Sequence, residues 1–114
     1  MKINIVIDEF SGSRLEIESV SEDTIVYRST AMKPAIGEVI TPTKQQWEKF
    51  WSLMEQCRDW EPAYQNPGIL DGTSWSVDVS GGGICVRSEG SNAYPKNWWV
   101  LKKAIECLSG KFHY

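Results

Sequence analysis

Histidine is almost absent from the sequence, since the only one, His113, is the next-to-last of 114 residues. Terminal residues are seldom held in one fixed geometry, so His113 is a poor candidate for a catalytic position. We therefore expect neither a Ser-His-Asp triad nor a Cys-His dyad, and no metal site built on histidines.

Cysteines are also few. Cys57, Cys85 and Cys107 are an odd number and have no CxxC spacing. Each falls within an apolar helix or strand pattern, where a thiol behaves as a small hydrophobic group. We expect no disulfide framework, no metal site and no cofactor.

Basic residues are not in excess over acidic ones. The chain has 12 Lys and Arg against 15 Asp and Glu, which gives a net charge of -3. Proteins that bind nucleic acids gain most of their affinity by neutralising phosphates with many cations. Direct binding to nucleic acid is therefore not expected, and the lysines near the C-terminus are interpreted as a solvated helix face.

Long apolar runs are missing too, because none approaches the roughly 18 residues that a membrane-spanning helix needs. The first ten residues alternate and include Asp8 and Glu9, unlike a secretory signal. At 13.0 kDa the chain has room for one domain. We expect a single α+β domain over residues 1–114, in the cytoplasm and not in a membrane.

Alternating apolar and polar residues predict about five antiparallel strands. Three of them form a meander, and two form a hairpin whose turn contains three consecutive glycines. A turn between two strands does not open a helix, so this glycine run is not a phosphate-binding loop. The predicted strands are residues 2–8, 14–20, 24–29, 73–79 and 84–89, with a short edge strand at 38–40.

Two helices are predicted from apolar stripes with helical spacing. The first covers residues 43–57, where Thr41 or a capping box of Thr43 and Gln46 marks the start. The second runs from Pro95 to Gly110. These elements predict an antiparallel sheet that packs both helices on one face and leaves the other face open.

The six tryptophans are the unusual feature of the composition. The tryptophans in the apolar stripes of the two helices and in the strand at 73–79 have core positions. Trp99 lies about 100° around the second helix from the apolar stripe of that helix, so we expect it to be exposed. Trp60 and Tyr64 lie in residues 58–72, which look too irregular for a helix or strand. Loops of that length are enriched in function.

The segment GSNAYP, residues 90–95, has two interpretations. It can be a corner between a strand and a helix, in which Gly90 allows an unusual backbone conformation and the Asn92 side chain bonds to main-chain groups. It can also belong to a binding site of aromatic rings and polar groups. The candidate site residues are Trp60, Tyr64, Asp71, Trp75, Ser91, Asn92, Tyr94 and Trp99.

Carboxylates are the remaining catalytic candidates, but no spacing forces any two of them together. Asp71 precedes Gly72, a pair typical of a turn. An acid-base enzyme that uses Asp71 is therefore the third hypothesis, and we expect the protein not to be an enzyme.

Residues 41–108 resemble an uncharacterised group of small bacterial proteins. The shared features are a tryptophan-rich helix, the W-x-x-x-Y of Trp60 and Tyr64, the DGxxW that ends at Trp75, and the GxNxYP that ends at Pro95. The resemblance implies a compact α+β domain of bacterial or phage origin. It implies no activity and no catalytic residues.

The leading functional hypothesis is a small acidic protein that binds a protein partner, as inhibitor or immunity proteins do. The partner would meet either the aromatic loop or the open sheet face, where Arg14, Glu16, Glu18 and Arg28 are expected. The alternative is a domain that binds a sugar or a nucleotide through the candidate site residues.

Overall fold

A computed structural model describes residues 1–9, 14–29, 37–66 and 73–110. Within these ranges the chain forms seven β-strands and two α-helices. In chain order they are β1 (Lys2–Asp8), β2 (Arg14–Ser19), β3 (Ile25–Ser29), β4 (Glu38–Ile40), α1 (Lys44–Glu55), β5 (Ala63–Gln65), β6 (Ser74–Gly81), β7 (Ile84–Ser91) and α2 (Trp98–Ser109).

The strands form one mixed sheet in the order β4-β3-β2-β1-β6-β7-β5. The α+β class and the edge strand at 38–40 are thus confirmed, but the predicted count of about five antiparallel strands is wrong. The strand missed is β5, which runs parallel to β7 at the other edge. Its three residues follow Pro62 and are too few to show an alternating pattern.

One face of the sheet, called the inner face here, carries the core. Ile5 lies opposite Ile17 on β2 and opposite Val77 on β6, and all three side chains are buried. Buried side chains of both helices join the same cluster, among them Phe50 and Leu101. Burial of each large apolar side chain contributes about 1.5–3 kcal/mol, so this layer contributes most of the stability.

Local signals at the helix ends are confirmed with two shifts, the first being that α1 ends at Glu55 instead of Cys57. The Thr43 side chain accepts a bond from the Gln46 N–H, and the Gln46 side chain accepts from the Thr43 N–H, which completes the capping box. Gly110 ends α2 in the left-handed conformation at φ 72°. The helix begins at Trp98 instead of Pro95, because Pro95 only supplies the carbonyl that accepts the Trp98 N–H.

The two helices run antiparallel. Gln46, near the start of α1, donates to the Cys107 carbonyl near the end of α2. Asn97, at the start of α2, donates to the Gln56 carbonyl at the end of α1. In the described ranges, neither helix is long and apolar enough to cross a bilayer.

The β6–β7 hairpin has the predicted glycine turn. Gly82 and Gly83 both have positive φ, 57° and 80°, as a two-residue type I′ turn requires. This turn lets Val79 and Val86 meet on the inner face.

The Cys57 thiol is fully buried at the end of α1, and desolvation raises its pKa from 9.0 to about 12. Only the thiolate reacts with alkylating reagents. At about pH 8, native protein should therefore be labelled at the exposed Cys85 and not at Cys57, which should react only after unfolding in urea. Mass spectrometry of the labelled peptides measures this difference, and equal native rates at the two cysteines would contradict it.

The burial of the Cys57 thiol also makes the free energy of unfolding depend on pH. Below about pH 9 the thiol is protonated in both states, and above it the unfolded chain releases the proton first. The free energy of unfolding should then fall between about pH 9 and pH 12, and Cys57→Ala should reduce that slope.

Candidate functional site

Five aromatic rings meet at the inner face beside the start of α2. We call Trp60, Tyr64, Trp75, Tyr94 and Trp98 the aromatic cluster. The Trp75 ring lies at the centre, with its centroid 4.8 Å from Trp98, 5.7 Å from Trp60 and 5.9 Å from Tyr64. Tyr94 covers the outside of Trp98 at 5.0 Å. Four of the predicted site residues are therefore brought together.

The polar atoms of Trp60, Tyr64 and Trp75 are bonded inside the protein. The Trp60 indole N–H donates to the Asn97 side chain over 2.7 Å, and the Trp75 indole N–H donates to the Ala93 carbonyl over 2.9 Å. The Tyr64 hydroxyl accepts the Glu61 N–H. Tyrosine and tryptophan that serve as packing groups are satisfied in this way when buried. The arrangement therefore favours packing over ligand binding for these rings.

Asn97 is a structural residue that the sequence analysis missed. Its amide joins the Trp60 ring to the Gln56 carbonyl, so one side chain connects α1, the following segment and α2. An asparagine before a helix is normally interpreted as an N-cap. Here the side chain makes no cap bond, so no local pattern predicted its contacts.

The GSNAYP segment is a corner built around Trp75. Gly90 lies against that ring on the inner face of the sheet. A Cβ at this position would lie less than 3.0 Å from ring atoms, and real Cβ atoms essentially never come that close. Asn92 then adopts the left-handed conformation at φ 57°, which asparagine tolerates better than most residues, and its N–H donates to the Thr73 carbonyl. Gly90 thus has a steric role within a regular strand, so the unusual backbone expected there is wrong, whereas Asn92 has a conformational role.

The other predicted site residues lie apart from the aromatic cluster. Ser91 follows Gly90 along β7, so its side chain is on the opposite face of the sheet. Trp99 is 59% exposed on α2, as its angle predicted. Asp71 lies outside the described residues.

The opposite face of the sheet, called the outer face here, is not covered by either helix. Across β1, β2 and β3 it carries long charged side chains in ion pairs. Arg14 pairs with Asp8 and Glu16, and Arg28 pairs with Glu16 and Glu18. Each such exposed pair contributes about 0–1 kcal/mol, so stability does not require this pattern.

Across β1, β6, β7 and β5 the outer face carries short side chains instead. The strand register aligns Asp8, Ser74, Ser91 and Gln65 in one row. The next row holds Val6, Ser76, Glu89 and Ala63. Because most of these side chains are small, the surface is lower here than over β2 and β3.

The result is a shallow depression of about 370 Å³ over the two rows. A second depression of about 400 Å³ adjoins it toward Asp78 and Arg87, and both are lined by Ser76 and Glu89. We call the first one, defined by Asp8, Ser74, Ser76, Glu89 and Ser91, the serine trough. Periodicity predicts these serines only as solvent-facing positions, since the trough arises from the pairing of distant strands.

The serine trough contains polar groups that no other part of the described chain uses. The hydroxyls of Ser74, Ser76 and Ser91 make no hydrogen bond within the described residues, and Glu89 has no ion pair there. Three hydroxyls and the Glu89 carboxylate therefore face solvent in one place, next to Asp8, whose carboxylate already pairs with Arg14. All of these groups can accept hydrogen bonds. The trough suits a cationic or donor-rich group.

A metal centre is not evident in the part of the chain that the structure describes, where no three His, Cys, Asp or Glu side chains are grouped to hold an ion. Comparisons with models of protein families, with curated proteins and with solved structures find no match to this chain.

The Trp75 contact gives a stability test. Gly90→Ala should lower the free energy of unfolding by about 3 kcal/mol or more, because the new methyl group and the Trp75 ring cannot occupy the same space. Gly82→Ala is the control, since a Cβ there meets nothing within 4 Å and only the positive φ costs about 1–2 kcal/mol. Urea unfolding measures both, and equal losses would contradict the steric account.

Proposed function

We propose that the chain is a non-enzymatic, cytoplasmic binding protein whose outer face docks a protein partner, in the manner of an inhibitor or immunity protein. The observation that carries the proposal is the serine trough beside the ion-paired surface of β2 and β3. It combines unused hydrogen-bonding groups with a recess that a partner's side chain can enter.

The charge of the trough favours a basic partner. Glu89 and Asp8 both line it, Glu89 without an ion pair in the described residues and Asp8 paired with Arg14, and the whole chain has a net charge of -3. An arginine or lysine of the partner would meet carboxylate and hydroxyl acceptors there, which gives charge-assisted hydrogen bonds. The acidic field would also speed the approach of a basic protein.

The aromatic cluster supports this surface and does not form it. Its rings lie on the inner face, and the polar atoms of Trp60, Tyr64 and Trp75 are already bonded. The partner hypothesis therefore rests on the open sheet face and not on the aromatic loop.

Ser76→Arg should abolish partner binding through the trough. The new side chain points into the recess and lies opposite Glu89, with which it can pair, so the fold should be kept while the cavity is filled and partly neutralised. Recovery of a specific partner from the source cell extract on immobilised protein should fall by at least about tenfold.

The matched control is Ser52→Arg, which makes the same change at an exposed position of α1. It should recover the partner as the unmodified protein does, and thermal unfolding should be similar for both variants. Arg28→Glu should also reduce recovery, because it changes the neighbouring ion-paired surface. Unchanged recovery with Ser76→Arg and Arg28→Glu would overturn the proposal.

A second candidate function is supported by one observation: the trough is also lined by Ser91 and by the strand positions of Tyr64 and Trp75, three of the residues expected to bind a small ligand. Because the rings of Tyr64 and Trp75 lie on the inner face, these two residues border the trough through their backbone. Its volume is within the range of small-molecule sites. A sugar or nucleotide bound there should change the tryptophan fluorescence of the protein and lose this effect in Ser76→Arg. A flat response to panels of both ligand classes would count against this function.

A further inference from the structure

Trp99 is the one tryptophan of the six that lies mostly in solvent. Its side chain is 59% exposed, whereas its neighbour Trp98 turns inward to the aromatic cluster. The angle of about 100° between successive helix positions accounts for the difference. Trp99 is therefore not part of the core, and its ring is available to another molecule.

Three lysines surround Trp99 along the chain. Lys102 and Lys103 lie three and four residues further on α2, on the same side of the helix, and Lys96 lies in the turn just before the helix. None of the three makes an ion pair within the described residues. One acidic residue, Glu106, lies on the same side of α2, two helical turns after Trp99. We call Lys96, Trp99, Lys102 and Lys103 the Trp99 patch.

The Trp99 patch differs in sign from the protein as a whole. Its local charge is positive in a chain whose net charge is -3. A polyanion such as a nucleic acid would meet three cations here but would be repelled by the remaining acidic surface. A short acidic segment of a protein is smaller than a nucleic acid strand. It can therefore pair with the three lysines without approaching the acidic surface around them.

A membrane surface is a poor fit for the same patch. Helices that lie in a bilayer interface bury an apolar face about 5–10 Å deep. The apolar face of α2 is already used, because Val100, Leu101, Ala104 and Ile105 are buried in the core. Trp99 alone remains on the exposed side.

We propose that the Trp99 patch is a second docking surface, which binds an acidic segment of another protein. The indole contacts an apolar side chain of that segment, and the three lysines bind its carboxylates. The patch shares no residue with the serine trough and lies in the helical layer. The protein can therefore hold a basic partner on its sheet and an acidic one on its helices, which makes it an adaptor.

The test uses the full chain and a fluorescein-labelled peptide of Asp and Glu residues with one central Leu. Fluorescence anisotropy at low salt should detect binding. Trp99→Ala should weaken it by about tenfold, as for a central tryptophan of an interface. Lys103→Glu should weaken it by about threefold to tenfold and reduce its dependence on salt.

Lys44→Glu is the matched control, because it makes the same change in net charge at the other end of the antiparallel helix pair. It should bind the peptide about as well as the unmodified protein. A peptide with Asn and Gln in place of Asp and Glu should not bind.

Four results would overturn the proposal. They are no binding of the acidic peptide, equal binding by Trp99→Ala, equal binding of the uncharged peptide, and tighter binding of an oligothymidine strand than of the acidic peptide. The result is independent of the outer face, since Ser76→Arg should leave peptide binding unchanged.

Discussion

The close contact between Trp75 and Gly90 is the constraint on which the C-terminal half of the structure depends. Only a residue without a Cβ lets the ring lie this near to β7. In that position the indole N–H reaches the Ala93 carbonyl, which sets the path of the chain into α2. The Trp60 and Trp98 rings then close over it. The last hairpin and the start of the last helix are thus fitted around one ring.

Local patterns predicted most of the fold. Alternation identified the five longer strands, and the apolar stripes identified both helices, because each of these signals lies within a few neighbouring residues. The capping box and the left-handed Gly110 are also signals that lie within a few neighbouring residues. Strand β5 could not be predicted in this way, since its existence depends on bonds to β7, about 26 residues away in sequence by its register.

The candidate surfaces were less predictable than the fold, for two physical reasons. A serine on one strand gives no sign of its neighbours, so the trough depends on the register of β5, β6 and β7 with one another and with β1, which is distant in sequence. The aromatic residues of the loop suggested a ligand platform, but Trp60 is bonded to Asn97, 37 residues away, and packs inside. Trp99 was the exception, because the helical angle alone placed it outside.

The central position of β1 has a consequence for synthesis of the chain. Its last partner, β6, begins 66 residues after β1 ends, so at about 5–20 residues per second the ribosome needs roughly 3–13 seconds to supply it. Until then β1 has β2 on one side and an unpaired edge on the other, with Ile3 and Ile5 uncovered. Strand β1 thus keeps an unpaired edge while β2, β3, β4 and β5 are made, and such an edge can pair wrongly with another strand.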